Sequence, residues 1–430
     1  MERDQEKRKE QIDQTYLTIL KEELVPAMGC TEPIAIAYCA AKARDVLGTF
    51  PDRVLVEVSG NIIKNVKSVI VPNTNGLKGI AASAAAGIVG GRSEKALEVI
   101  ADVTAEEKIR MKEFLEQVPI EVKPLDTEEQ LDILVTLFAG EEQASVRISG
   151  FHTNIVQVKK GPEILYESGV VEATNVQLTD RSLLNVKDIY EFAETVKIEA
   201  VRELLDRQMA YNWTIAEEGL INSYGANIGK VLLQTEPDSL KNKAKAYAAA
   251  GSDARMNGCE MPVIINSGSG NQGMTASLPV IVYAKELNIS QERLYRALVL
   301  SNLITIHQKT GIGRLSAYCG AISAGCGAGC GIAYLLGGDL KVISHTLVNA
   351  LAIVSGIVCD GAKASCAGKI AAAVDAGIFG YQMYQQGQQF YGGDGIISKG
   401  VENTIHNVGR LGKVGMKETD KEIIRIMTDC

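Results

Sequence analysis

Residues 12–26 carry apolar positions at helical spacing and predict a helix. It runs into Met28-Gly29-Cys30-Thr31-Glu32-Pro33, where a glycine turn and Thr31 as N-cap predict a second helix from Pro33 to Leu47. Cys30 therefore stands at a helix N-terminus. The next stretch, RVLVEVSGNIIKNVKSVIVPN, alternates Val and Ile with polar residues, a pattern for two strands joined by a turn at Ser59-Gly60-Asn61. GLKGIAASAAAGIVGG is too rich in small residues for a surface helix and predicts a tightly packed one. From about residue 94 a charged helical stretch leads into VPIEVKPL, LDILVTLFAG, ASVRISG and HTNIVQVKKG, whose alternation predicts an antiparallel sheet. From about residue 185 the pattern is helical, first charged and then rich in Ala, Gly and Ser.

The pattern implies an α+β fold: a mainly helical domain formed by residues 1–50 and 181–430, into which an α+β domain, residues 51–180, is inserted with its antiparallel sheet. A length of 430 residues agrees, because a single core normally stops growing before that size. Three stretches carry no formal charge: Met261–Ala284, Leu315–Gly338 and Val342–Cys359. Their lengths raise a membrane reading, and Asn266–Gly273 within the first would suit the broken helix of a small-solute transporter. They are built from Ala, Gly, Ser and Cys without aromatic belts, however, and read better as close-packed central helices.

Charge narrows the partners. A net charge of −8, with no basic block beyond Lys7-Arg8-Lys9, leaves no footprint for nucleic acid and favours a small-molecule substrate. The charged start MERDQEKRKEQIDQ lacks an apolar leader, which implies the cytoplasm; a homodimer is compatible with the sequence. In a reducing compartment the nine cysteines are not expected in disulfides, and five of them crowd into residues 319–366. Cys359 and Cys366 share a helical face if their segment is helical, and Cys319 lies forty residues upstream. Spacing alone does not separate iron–sulfur from zinc, and a lone Cys is often only a small buried hydrophobe.

Seven segments together carry a resemblance. MGCTEPIAIA (28–37), GNIIKNV (60–66), VPNTNGLKGI (71–80), SDARMNG (252–258), NSGSGNQG (266–273), IHQKTGIGRLSAYCG (306–320) and IVCDGAKASCAGK (357–369) resemble the iron–sulfur L-cysteine desulfidase family. That family shares a superfamily with the α chain of iron–sulfur L-serine dehydratases. The resemblance implies a [4Fe-4S] enzyme that eliminates sulfide from L-cysteine to leave pyruvate and ammonia. It implies Cys319, Cys359 and Cys366 as cluster ligands, one iron open to substrate thiolate, and Cys30 as the base for the α-proton. An L-serine dehydratase or a related amino-acid lyase is the alternative. Cys326 and Cys330 fall outside the ligand pattern and read as packing residues.

The physical logic runs alongside. A helix N-terminus favours a thiolate, so Cys30 is expected to ionise near neutral pH. Backbone N–H groups of Ser267–Gly273 predict an anion nest for the substrate carboxylate, with Ser267, Ser269 and Asn271 adding side-chain donors. Asn61, Lys64 and Asn65, placed on the first sheet, and Asn73 and Thr74 in the following turn would close the opposite wall. Arg255 is a candidate carboxylate clamp. His307 and Lys309 are candidates for contact with substrate, against the plainer reading of a satisfied core histidine and a solvated lysine. Cys430, the last residue, corresponds to a C-terminal cysteine that can reach the cluster in the related dehydratases; here it is expected to stay remote from the other three.

Overall fold

A computed structural model of the chain describes residues 2–168, 179–313 and 315–428, so Cys430 and Arg314 lie outside the described residues. The chain opens with helix α1, Glu2–Glu23, which ends ahead of Pro26, the first residue of the short strand β1, Pro26–Met28. Helix α2, Thr31–Leu47, begins one residue earlier than Thr31 as cap would require, so Cys30 is the N-cap. Strand β2, Arg53–Val58, turns Val54, Val56 and Val58 to the interior.

Residues expected as the second strand are a helix, α3, Gly60–Val66. Ser59 caps it in an extended conformation, and Ile62 and Val66, one helical turn apart, both bury completely. The apolar residues of GNIIKNV therefore follow a helical period that the neighbouring alternation masks. Helices α4, Gly79–Gly90, and α5, Ala105–Gln117, follow, the latter started by a Thr104/Glu107 capping box. Strands β3, Ile120–Pro124, β4, Asp132–Ala139, β5, Glu142–Ser149, β6, Ile155–Lys160, and β7, Glu163–Glu167, complete the sheet.

The sheet order is β3-β2-β4-β5-β6-β7. The expectation of an all-antiparallel sheet is also corrected, at one pair: β2 and β3 run parallel, because the helices between them form the crossover that a parallel pair requires. One hydrophobic cluster joins the inner face of this sheet to α2, α3 and α4. Asp132 at the start of β4 is fully buried and accepts from Nε and one terminal arm of Arg147, at 2.9 and 2.6 Å.

The second half is helical: α6, Val186–Thr195, α7, Ile198–Ile221, α8, Ile228–Thr235, and α9, Leu240–Met256. Strand β8, Pro262–Ile264, pairs with β1. There follow α10, Gly270–Glu286, α11, Gln291–Ile312, α12, Gly320–Leu335, α13, Leu340–Val354, α14, Cys366–Gln385, α15, Val401–Arg410, and α16, Lys417–Thr428. The uncharged stretches are the centre of this half. Helix α12 touches α10, α11, α13 and α14. Its glycines permit this: a methyl group on Gly329 would stand 2.4 Å from the carbonyl oxygen of Gly377 on α14. Among the described residues no helix is long and apolar enough to cross a membrane.

Candidate active site

Helix starts build the site. Cys30 caps α2, Ser269 caps α10, Cys319 caps α12, and Cys366 is the first residue of α14; all four line one cavity of about 100 Å³. Each start brings the positive end of a helix dipole to the lining, an environment suited to anions.

The three cysteines of the ligand pattern are brought together by backbone. Cys319 N–H donates to Ile357 O at 3.2 Å and Cys359 N–H to Ala317 O at 2.6 Å, so the strand-like segments before α12 and after α13 lie side by side. The chain then turns at Gly361, φ +94°, where a methyl group would lie 2.2 Å from Lys64 O; only glycine fits. Asp360 is gripped by Lys363 and Lys369, which fixes the loop between Cys359 and Cys366. Burial, then the neighbouring Cys359, pushes the Cys319 thiol up to about 12, and burial likewise raises Cys366. Thiols that crowd one another in this way must lose their protons to solvent before they can ligate a cation. Cys326 and Cys330 are fully buried in α12 and do not line the cavity.

The Asn266–Ser269 turn closes through reciprocal backbone hydrogen bonds of 3.1 Å, with Ser267 and Gly268 both at positive φ, the geometry of a type I′ turn. Gly268 O accepts from Thr31 Oγ1 at 3.0 Å, which ties the start of α2 to that of α10. Arg255 is buried and reaches the cavity past Gly270, where any side chain would collide with its guanidinium; one arm donates to Asn271 Oδ1 at 3.2 Å and its Nε has no partner.

Ten of the expected site residues line the cavity: Cys30, Asn65, Arg255, Ser267, Ser269, Asn271, Lys309, Cys319, Cys359 and Cys366. Five do not. Asn61 lies on α3 outside the lining, as does Lys64, whose ammonium is engaged by Asp420 of α16 rather than solvated or open to a ligand. Asn73 donates to Ile100 O at 2.8 Å, tying its turn to the segment ahead of α5, and Thr74 donates to Val71 O at 2.6 Å within the turn itself. His307 meets Glu402 at 2.7 Å, pinning α15 to α11. The expectation for Cys30 also changes in one respect. Burial first, and then the carboxylate of Glu32, raise its thiol well above the ordinary range, against a smaller opposing pull from Arg255.

Sequence reasoning missed Glu32, His152, Gln272, Ser316 and Tyr318, which also line the cavity. Glu32 accepts from Cys30 Sγ at 3.0 Å and from Asn65 Nδ2 at 3.4 Å. Burial alone would raise its pKa, but His152 beside it and the Cys30 thiol hold it down to about 2. His152 Nε2, Gln272 Oε1 and Tyr318 OH are buried without a hydrogen-bond partner. With Arg255 Nε they leave four polar atoms of the lining unsatisfied, a costly arrangement that a polar ligand would relieve.

The family model described as serine dehydratase alpha chain matches residues 94–425. A UPF0597 protein of Desulfitobacterium hafniense is 65% identical over 98% of both chains. UPF0597 proteins of Lachnoclostridium phytofermentans and Treponema denticola are 53% and 50% identical over 96% of this chain and 98% and 97% of theirs. With its cysteine-lined cavity inside the matched region for all but the start of α2 and Asn65, the chain belongs to the serine dehydratase α chain family, a family of lyases.

Proposed function

We propose that the chain is an iron–sulfur L-cysteine desulfidase, which holds a [4Fe-4S] cluster on Cys319, Cys359 and Cys366 and converts L-cysteine to pyruvate, ammonia and hydrogen sulfide. The observation that carries this reading is the gathering of these thiols and Cys30, from distant stretches of chain, around one cavity. Three soft thiolate donors suit iron–sulfur or zinc. A structural zinc ion takes four ligands within one tetrahedral shell, and the ligand pattern supplies three cysteines. Three thiolates would leave one iron of a cluster open to substrate, and the helix starts at the cavity favour its negative charge. When bound, such a cluster supplies Lewis acidity for a departing thiolate.

The chain's own residues supply the rest. Arg255 and the N–H groups at the start of α10 would hold the substrate carboxylate. Cys30, once ionised, would take the α-proton; Arg255 favours that ionisation and Glu32 opposes it. Leu315, Tyr318 and Ile370 narrow the apolar side and keep water from the reacting carbon. The eight described cysteines are all free.

L-serine dehydration is the second reading, favoured by the description of the matched family. Thiolate is the better leaving group, and the motifs quoted above resemble the desulfidases more closely. Anaerobically reconstituted protein supplied with each amino acid separates the two: sulfide with pyruvate from L-cysteine is expected, and faster pyruvate release from L-serine would overturn the assignment. Cys30→Ala should retain its iron and lose roughly 100-fold or more in kcat. Near-normal turnover by that variant would remove Cys30 as the base.

A further inference from the structure

A site for an amino acid must satisfy an ammonium as well as a carboxylate. Arg255 offers positive charge to one; the opposite sign is concentrated at Glu32. This carboxylate is 8% exposed, and among the described residues no lysine or arginine pairs with it. Across from it stands His152, 5% exposed, carried by the turn between β5 and β6. Its Nε2 lies 3.8 Å from Glu32 Oε1 and has no hydrogen-bond partner. That gap is too long for a direct hydrogen bond, yet one nitrogen placed about 2.8 Å from each atom would fit between them. Both residues line the cavity that holds Cys30 and Arg255.

We propose that Glu32 and His152 form a clamp for the α-ammonium group of the substrate, resting on the reading of this cavity as an amino-acid site. The carboxylate Oε1 accepts one ammonium N–H, and His152 Nε2, in the tautomer that carries its proton on Nδ1, accepts another. Glu32 comes from the first turn of α2 and His152 from the sheet, so the sheet-bearing half contributes directly to recognition. The clamp selects α-amino acids over carboxylic acids of the same carbon skeleton, which could reach Arg255 but would leave Glu32 and His152 unsatisfied.

The test measures binding to the cluster-loaded protein under anaerobic conditions, using L-alanine, which has no leaving group, and propionate, which differs from it by lacking the ammonium. The wild type should prefer L-alanine by about tenfold or more, the size of one charge-assisted hydrogen bond. His152→Phe should reduce that preference about tenfold while leaving propionate binding unchanged. His152→Gln, which keeps a neutral acceptor, should hold most of it. Glu32→Gln gives an independent check should the phenylalanine not be accommodated, and it too should erase the preference. The clamp is overturned if the wild type shows no preference, if the preference survives in both His152→Phe and Glu32→Gln, or if propionate weakens as much as L-alanine, since His152 would then serve the carboxylate or the fold. Sulfide release from L-cysteine by the wild type tests the desulfidase reading separately. Absence of sulfide release with amine selectivity intact would sink the desulfidase reading and leave the clamp standing.

Discussion

Two cysteines of the helical half show how environment decides a residue's part. Cys326 is wholly enclosed within α12, whereas Cys359 sits on a loop at the cavity with its backbone tied to Ala317. Cys359→Ala is expected to lose bound iron and activity together, and Cys326→Ala to keep both; iron and acid-labile sulfide counted on anaerobic preparations decide it. Asp253 is a second case. It is fully buried on α9, accepts an N–H from Gly229 at 3.0 Å, and leaves its other oxygen unpartnered. Burial lifts its pKa from 3.8 to about 6, outweighing the hydrogen bonds from Gly229 and Ile228. The folded chain thus binds this proton more tightly than the unfolded chain. Its contribution to stability is fully present below the unfolded value and is lost as pH rises through the folded one, a swing on the order of 3 kcal/mol. Asp253→Asn, which keeps an acceptor for Gly229, should gain in melting temperature relative to the wild type as pH rises from about 4 to about 6, and hold that gain above it. A gap that does not change with pH would show that the carboxyl is not buried as a charge.

Elements place these residues, and here the close helix pair α12 and α14 matters most. Cys319 starts one helix and Cys366 the other, so their separation sets the distance between two proposed ligands. Gly329→Val would drive a side chain into Gly377 O and should cost about 1–3 kcal/mol or more, with loss of iron in step. Gly368→Ala on the same α14 meets nothing within 4 Å and should be neutral or slightly stabilising. Equal melting temperatures and iron contents in the two variants would refute the packing argument. The sequence made this helix pair legible because uncharged runs of small residues can only be tolerated where backbones approach closely. It concealed α3, since Ile62 and Ile63 continue the Val alternation of β2 and only the register of Ile62 with Val66 betrays the helix. It also concealed His152: HTNIVQVKKG reads as strand, and nothing local in it indicates that the histidine faces a carboxylate more than a hundred residues earlier. Motifs reported which short segments carry chemistry; the contacts between α2 and the sheet turn exist only after folding.

At the scale of the whole molecule the chain's two ends of function meet through Lys64. This lysine, on α3, has a side chain only 1% exposed and pairs with Asp420 on α16, whose side chain is 12% exposed. Nearby, Ile424 of α16 rests on Gly60, where a methyl group would come within 2.8 Å of its Cδ1. The final helix is thereby fastened to the element that brings Asn65 to the cavity. Removing one member of a buried pair strands the other charge, which costs about 3–5 kcal/mol, whereas replacing both with apolar groups of similar volume is often neutral. Lys64→Met should therefore destabilise the protein by about 3 kcal/mol, toward the lower end because Asp420 retains some contact with solvent. The double variant Lys64→Met/Asp420→Leu should recover most of that loss. Lys421→Ala, which removes an exposed pair with Glu418, sets the scale for a surface contact and should shift stability by less than about 1 kcal/mol. Denaturant unfolding of the four proteins at equal cluster loading measures these differences. If Lys64→Met unfolds no more readily than Lys421→Ala, or if the double variant is worse than the single, the pair does not hold α16 in place and the anchoring of the last helix must be sought in the apolar contact of Ile424 with Gly60.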